Sequence, residues 1–242
     1  MTTMRRYILT LAVALTSLFT ACENTTELPA GVGTLCLSEI SATLDESTRS
    51  VDTSAWSVEL RRADGGVVGS WAYGSLPESV ELREGTYNIS VASADRFAEV
   101  SREGYFEGSQ SVTIESGKTT TPDAITCRLQ SLKVSVEFRG EIVEALGDDC
   151  TTTVSLGDVS LTVGKDDSAP IYFRPSDAAS SFHVVFEGTV DGATERFVTD
   201  IVDVKVGQWR KVVITMTYED GERVLDASIA PWISDDDIYV EQ

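Results

Sequence analysis

Three stretches of this chain place an apolar residue at every second position. They are KVSVEF (133–138), with Val134, Val136 and Phe138; TYNISVAS (86–93), with Tyr87, Ile89 and Val91; and KVVITMTY (211–218), with Val212, Ile214, Met216 and Tyr218. Side chains of a strand point alternately to opposite faces, so this period buries one face and wets the other. Beyond the amino-terminal region no long segment shows a 3.6-residue period, and only EIVEAL (141–146) has room for a helical turn or two. Between the strands stand Asp64-Gly65-Gly66, Glu84-Gly85, Gly157-Asp158, Asp191-Gly192 and Asp220-Gly221. Such pairs supply the positive φ that tight hairpins need. The chain is therefore expected to be all-β.

The candidate strands fall into two sets of about seven, one from Leu35 to Leu129 and one from Leu132 onward. Each set is enough for one β-sandwich of about 100 residues. The expected architecture is two tandem β-sandwiches of the immunoglobulin or transthyretin kind, spanning 34–130 and 131–242. The strand that carries Ile125, Cys127 and Leu129 on one face should run almost directly into the strand of Val134, which makes for a stiff pair. In the second half, Ala227, Ile229 and Trp232 are expected to cap the core, with Ile238 and Val240 in a further short strand. Trp56, Trp71, Tyr73, Tyr105, Phe106 and Trp209 suit a core or its rim. The irregular stretch Ala94–Gly108, with Phe97, Tyr105 and Phe106, is read as a packed crossover between sheets in preference to a binding loop.

The amino-terminal residues belong to export. Arg5 and Arg6 precede an apolar run from Tyr7 to Phe19, about 13 residues long. A membrane-spanning helix needs about 20. Residues 1–21 thus read as a signal peptide. Phe19-Thr20-Ala21-Cys22 resembles a bacterial lipobox with Phe in place of the usual Leu. That resemblance implies that the Cys22 thiol carries diacylglycerol and tethers the chain to a membrane, with 22–33 as a flexible polar link. Several acyl chains anchor firmly where one is marginal.

Composition narrows the partners. With 19 Lys and Arg against 39 Asp and Glu, the formal charge is −20. Nucleic acid is not an expected partner, because phosphate binding needs clustered cations. Of the four cysteines, Cys36, Cys127 and Cys150 remain after Cys22, so at most one disulfide can form among them. Cys127 reads as a buried thiol. The single histidine, His183, alternates with Phe182 and Val184 and so faces solvent. Ser181 shares that face, but two residues along a strand is about 7 Å, too far for a Ser–His pair. The acidic groups Asp148-Asp149, Asp166-Asp167 and Asp235-Asp236-Asp237 lack EF-hand spacing and read as solvated turns. No catalytic residue, cofactor or metal site is assigned, and enzymatic activity is not expected.

The first half carries a more specific pattern. WSVELRRADGGVVGSWAYGSLPESVELREGTYNISVASA (56–94) is followed by GYFEGSQSVTIESGKTT (104–120) and ITCRLQSLKVSVEF (125–138). Over about residues 31–145 this resembles lipoproteins of Bacteroidetes in domain-of-unknown-function family 4493 and, more distantly, fimbrillin-like and major fimbrial subunit lipoproteins. VKVGQWRKVVITM (204–216) in the second half is similar to a fimbrillin-like sandwich. The first family has no assigned chemistry. The wider group implies outer-membrane or surface lipoproteins that act in fimbriae or cell adhesion. In some of them a protease cuts after an arginine near the first strand, and the vacated groove accepts a strand from another subunit. Arg49, in DESTRSVD, matches that placement, and a cut there would free Leu35 to Ile40. Glu23 after Cys22 is acidic, as in some surface-exported relatives. The second expectation is a surface lipoprotein that binds a host or other glycan through exposed aromatics, in support of polysaccharide capture.

Overall fold

The structure, a computed structural model, describes residues 30–44, 52–94, 96–176 and 181–229. It is built almost entirely of strands, as the alternation predicts. The first half contributes β1 (Val32–Cys36), β2 (Ala42–Leu44), β3 (Ser57–Arg62), β4 (Val67–Ala72), β5 (Ser79–Arg83), β6 (Gly85–Ala92), β7 (Val100–Ser101), β8 (Phe106–Ile114), β9 (Thr119–Thr120) and β10 (Ile125–Leu129). The second contributes β11 (Leu132–Arg139), a single helical turn α1 (Ile142–Ala145), β12 (Thr151–Leu156), β13 (Val159–Gly164), β14 (Ile171–Phe173), β15 (Phe182–Val190), β16 (Ala193–Ile201), β17 (Trp209–Glu219) and β18 (Glu222–Ile229).

Four sheets make two sandwiches. In the first, β5-β1-β9 faces the six strands β2-β10-β8-β6-β3-β4. Between them lies a core that includes Leu35, Leu37, Trp56, Leu60, Tyr87, Ile89, Ile114, Ile125 and Cys127. In the second, β18-β17-β11-β14-β7 faces β13-β12-β15-β16. Its core is centred on Phe173, Phe182 and Phe186, each fully buried. Phe173 and Phe182 meet at 5.2 Å between ring centres, and Phe138 packs edge-on against Phe186 at 5.7 Å. Full burial of such a side chain contributes about 1.5–3 kcal/mol, so these rings carry much of the second core.

Turn chemistry sets the registers. Asp191-Gly192 joins β15 to β16 with φ of 50° and 77°, and Asp220-Gly221 joins β17 to β18 with 52° and 82°. Two successive positive φ values match the twist of the flanking strands. Gly157, at φ 57°, turns β12 into β13. Glu84-Gly85 behaves differently from the expected hairpin. β5 pairs with β1, and β6 pairs with β3 and β8, so this dipeptide is a corner between sheets.

Three further differences from the expected pattern concern individual strands. The count exceeds about seven per half because β2, β7 and β9, of three, two and two residues, pair only through their neighbours. Tyr218 was expected inward but is 53 % exposed. Val212, Ile214 and Met216 are buried as expected, and the strand then outruns its core toward the hairpin. Finally, β11 alternates in sequence yet is buried on both faces from Leu132 to Val136, Lys133 and Ser135 included.

The two halves are stitched together by the stretch expected to cross between sheets. It leaves β6, runs past the first sandwich and adds β7 to the edge of the second sandwich's five-stranded sheet, with Ser101 opposite Tyr172 and Val100 opposite Phe173. Arg102 reaches Asp167 at 2.5 Å and the Ala169 carbonyl at 3.0 Å. Arg174 reaches Glu99 at 3.1 Å and the Phe97 carbonyl at 3.4 Å. Only Gln130 and Ser131 separate β10 from β11, as the sequence indicated.

Candidate functional site

Two features of this architecture stand out as candidate sites: the buried first strand and the crease between the sandwiches. β1 is the middle strand of its sheet, antiparallel to β5 and parallel to β9. Thr34, Leu35 and Cys36 within it, and Leu37 just after it, are 0–6 % exposed. Its ends are tied down by Gly117 N–H to the Val32 carbonyl at 2.8 Å and Leu37 N–H to the Glu78 carbonyl at 3.0 Å. The chain then crosses to the other sheet, where β2 runs parallel to β10 from Ala42 opposite Ile125. Residues 30–44 therefore contribute to both sheets of the first sandwich. Removing them would uncover apolar core and leave the backbone groups of β5 and β9 without partners.

Cys22 and Arg49 lie outside the described residues, as do Trp232 and Asp235-Asp236-Asp237. Arg49 falls between Leu44, which ends β2, and Asp52, where description resumes.

The crease is a cleft of about 1080 Å³. Its floor is the outer face of the second sandwich's five-stranded sheet. The register places Tyr172 of β14, Lys133 of β11 and Trp209 of β17 side by side across three strands. The Lys133 ammonium lies over the Trp209 ring at 4.3 Å and over the Tyr172 ring at 5.9 Å. Trp209 Nε1–H donates to Ser135 Oγ at 3.0 Å, fixing the indole. Lys211 continues the row, 5.3 Å from the Trp209 ring and 3.1 Å from Glu137. Arg139 and then Lys211 hold the Glu137 carboxyl below its usual range.

The opposite wall comes from the first half. Phe97 and Tyr105 stack at 4.3 Å between ring centres, 14° from parallel, and Trp56 stacks on Phe106 at 6.1 Å. Tyr105 N–H donates to Ser131 Oγ at 3.0 Å, which joins wall to floor. Burial, and then the neighbouring Glu107, push the Tyr105 phenol upward in pKa. The cleft is where the expected aromatics gather: Trp56 is buried, and Tyr105, Phe106 and Trp209 are half-buried. Trp71 and Tyr73 instead pack on the first core. Sequence reading singled out Trp209 and Tyr105 but missed Lys133 and Tyr172. Their juxtaposition depends on the pairing of β11 with β14 and β17, strands far apart in the chain.

The other singled-out groups resolve into local structure. His183 is exposed and its Nδ1 lies 2.7 Å from Asp200 Oδ1, its cross-strand partner. Asp148 bonds Lys165 at 2.6 Å, and Asp149 accepts from the Thr189 hydroxyl at 2.8 Å. Asp167 belongs to the Arg102 stitch. No disulfide joins any two of Cys36, Cys127 and Cys150, all of them buried. Burial, aided by Glu107, raises the Cys127 thiol to about 11, and burial also pushes Cys150 up. At pH 8 a thiol of pKa about 11 is ionised to about one part in a thousand, and the thiolate is the reactive form. A Cys22→Ser chain is therefore expected to show no reaction with a thiol-specific chromogenic disulfide until denaturant is added, and then three reacting thiols. Prompt reaction in native buffer would contradict the burial.

The model of the family described as "Domain of unknown function (DUF4493)" matches residues 31–234. No curated protein matches the chain. Solved structures with a similar backbone course include a fimbrial assembly protein from Parabacteroides distasonis ATCC 8503, 11% identical, covering 82% of this chain and 97% of that one at a TM-score of 0.45. Another is a candidate adhesin from Bacteroides thetaiotaomicron VPI-5482, 9% identical, covering 85% and 98% at 0.48. A third is a candidate polysaccharide-binding protein from the same strain, 11% identical, covering 83% and 96% at 0.47.

Proposed function

We propose a function from the premise that this chain belongs to the DUF4493 family, whose model spans residues 31–234. The protein is a lipid-anchored component of the cell envelope that works by assembly and adhesion and carries out no catalytic step. Cys22 holds the lipid, and residues 22–33 link it to two sandwiches, 34–130 and 131–242. Nine residues lie between Cys22 and Val32, and the ten Cα-to-Cα steps reach about 35 Å when extended, so the first sandwich stays close to an outer-membrane surface.

The observation that carries this reading is β1. A strand that is buried, central in its sheet and at the amino-terminal edge of the fold is one that a single cut can separate from the rest. Cleavage at Arg49 would separate the lipid anchor, β1 and β2 together from the rest of the chain. The groove left behind would present two unpaired strand edges over an apolar floor, a template for strand addition by another subunit. Refilling it recovers burial worth about 1.5–3 kcal/mol for each leucine.

Treating the purified protein with an arginine-specific protease tests this. The expected result is a cut after Arg49, loss of residues 1–49 and a ladder of oligomers in size-exclusion chromatography, all abolished by Arg49→Ala. Quantitative cleavage that leaves a monomer with β1 still bound would refute it. A second reading, glycan capture, is favoured by one observation, the aromatic crease between the sandwiches.

A further inference from the structure

We infer that β16, the outer strand of the second sandwich's four-stranded sheet, pairs antiparallel with β16 of a second copy of this chain, so that two copies share one continuous eight-stranded sheet. The strand itself carries this, independently of the lipid anchor and of cleavage at Arg49.

Length and exposure come first. β16 closes the sheet order β13-β12-β15-β16, and its nine residues make it the longest strand at any sheet edge among the described residues. An edge of that kind is a template for another strand. The turn before it determines which groups are on offer. Asp191-Gly192 makes a two-residue hairpin whose closing, hydrogen-bonded pair is Val190 and Ala193. Hydrogen-bonded and non-hydrogen-bonded pairs alternate along an antiparallel ladder. Ala193, Glu195, Phe197, Thr199 and Ile201 therefore spend their backbone groups on β15. Thr194, Arg196, Val198 and Asp200 direct theirs away from it, and no other backbone bond reaches these four among the described residues. Thr189 of β15 keeps the same alternation: its N–H and carbonyl turn away from β16, to Asp149 and to Gly147. The side chains of Thr194, Arg196, Val198 and Asp200 are all exposed.

The order of those side chains matches a second copy of the same strand. Two identical antiparallel strands are related by a two-fold axis. With the axis at Val198, Val198 faces its own counterpart, and Arg196 faces Asp200 of the second copy on both sides of it. An axis at Arg196 or at Asp200 would set like charges directly opposite, which is destabilising. An axis at Phe197 or Thr199 would set each charge against Thr194, Val198 or Val202. Only Val198 pairs opposite charges, and charges that merely guard an edge need no such spacing. Both charges keep capacity for a second partner. Arg196 spends Nε on Glu187 at 2.8 Å, and Asp200 places Oδ1 2.7 Å from His183 Nδ1. The Arg196 Nη groups and Asp200 Oδ2 have no partner among the described residues. A guanidinium carries five N–H donors and suits two carboxylates at once. The joined row would run Glu187, Arg196, then Asp200 and His183 of the second copy. Val198, 39 % exposed beside Val185, would be covered at the axis by Val198 of the second copy.

The test uses the chain with Cys22→Ser and Arg49→Ala, so that neither a lipid nor the proposed cut can associate it. Sedimentation equilibrium should show monomers and dimers exchanging in the micromolar range, because two strand edges bury less than the standard interface of about 1,600 Å². Nothing larger should form, since a two-fold contact closes on itself. Arg196→Asp and Asp200→Arg should each weaken the dimer by about tenfold or more, because the axis sets two like-charged pairs opposite at once. An equal mixture of these two variants should associate far better than either alone, since their heterodimer restores opposite charges at both positions. Val198→Lys, which brings two cations together at the axis, should also leave a monomer. A chain that stays monomeric into the millimolar range overturns the inference. So does a dimer that none of the three substitutions weakens, a mixture that associates no better than its components, or open-ended growth. None of these outcomes bears on the oligomer ladder expected after cleavage at Arg49, so the two readings fail separately.

Discussion

Leu35→Asp is expected to unfold the first sandwich while the second survives with a lowered melting point. Leu35 is 0 % exposed in the central strand of the smaller sheet. The substitution forfeits about 1.5–3 kcal/mol of apolar burial and places a carboxylate where no water reaches it, at a further cost of several kcal/mol. Domains are stable by only about 5–15 kcal/mol in all, so the sum exhausts most of that margin. Scanning calorimetry should show the first transition lost. The second should shift down by less, because it forfeits the support of β7, of the Arg102 and Arg174 contacts and of the Tyr105 bond to Ser131, and keeps its own core. If β1 is replaceable, a synthetic peptide of residues 31–40, GVGTLCLSEI, added in excess should restore the lost transition. Two unshifted transitions in Leu35→Asp would show that β1 does not hold the first core closed.

Gly188→Ala should be the most damaging of the small substitutions. Gly188 lies within β15 at φ 153°, a conformation side chains rarely adopt. A Cβ there would sit 2.5 Å from Cys150 Cα and 2.6 Å from its Sγ. Overpacking costs about 1–3 kcal/mol, and a strained backbone angle costs about as much again. For a unit of about 100 residues each kcal/mol lowers the melting temperature by about 4–8 °C. A fall of at least about 8 °C in the second transition is expected. Adding Cys150→Ala should recover only part of it, since the contact with Cys150 Cα is to backbone and stays. Full recovery in the double variant would mean that the sulfur alone set the fit.

Much of this was legible in residue order. Val134 and Val136, Tyr87 to Val91 and the inward residues of β15 follow the period of two, because a strand on a two-sided sheet has no other way to sort water from core. The Asp-Gly hairpins were equally readable, since positive φ is a property of two adjacent residues. Other features were out of reach for the same physical reason in reverse. Glu84-Gly85 carries a turn signal, but whether a turn closes a hairpin or a corner depends on which strand lies beside β5, and that strand, β1, is remote in sequence. Lys133 and Ser135 read as a solvent face because nothing local says that Tyr172, Trp209 and the crossing stretch will cover them.

The amino-acid order alone determined that this chain is made of strands and where its tight turns fall. Only tertiary structure decided which strand is central in its sheet, that β7 belongs to the other half's sheet, and that rings and a lysine from distant strands form one cleft. Alternation and turn preference are set by neighbours along the chain. Strand partnership is set by which apolar faces can be buried together, and that competition is resolved only when the whole chain folds.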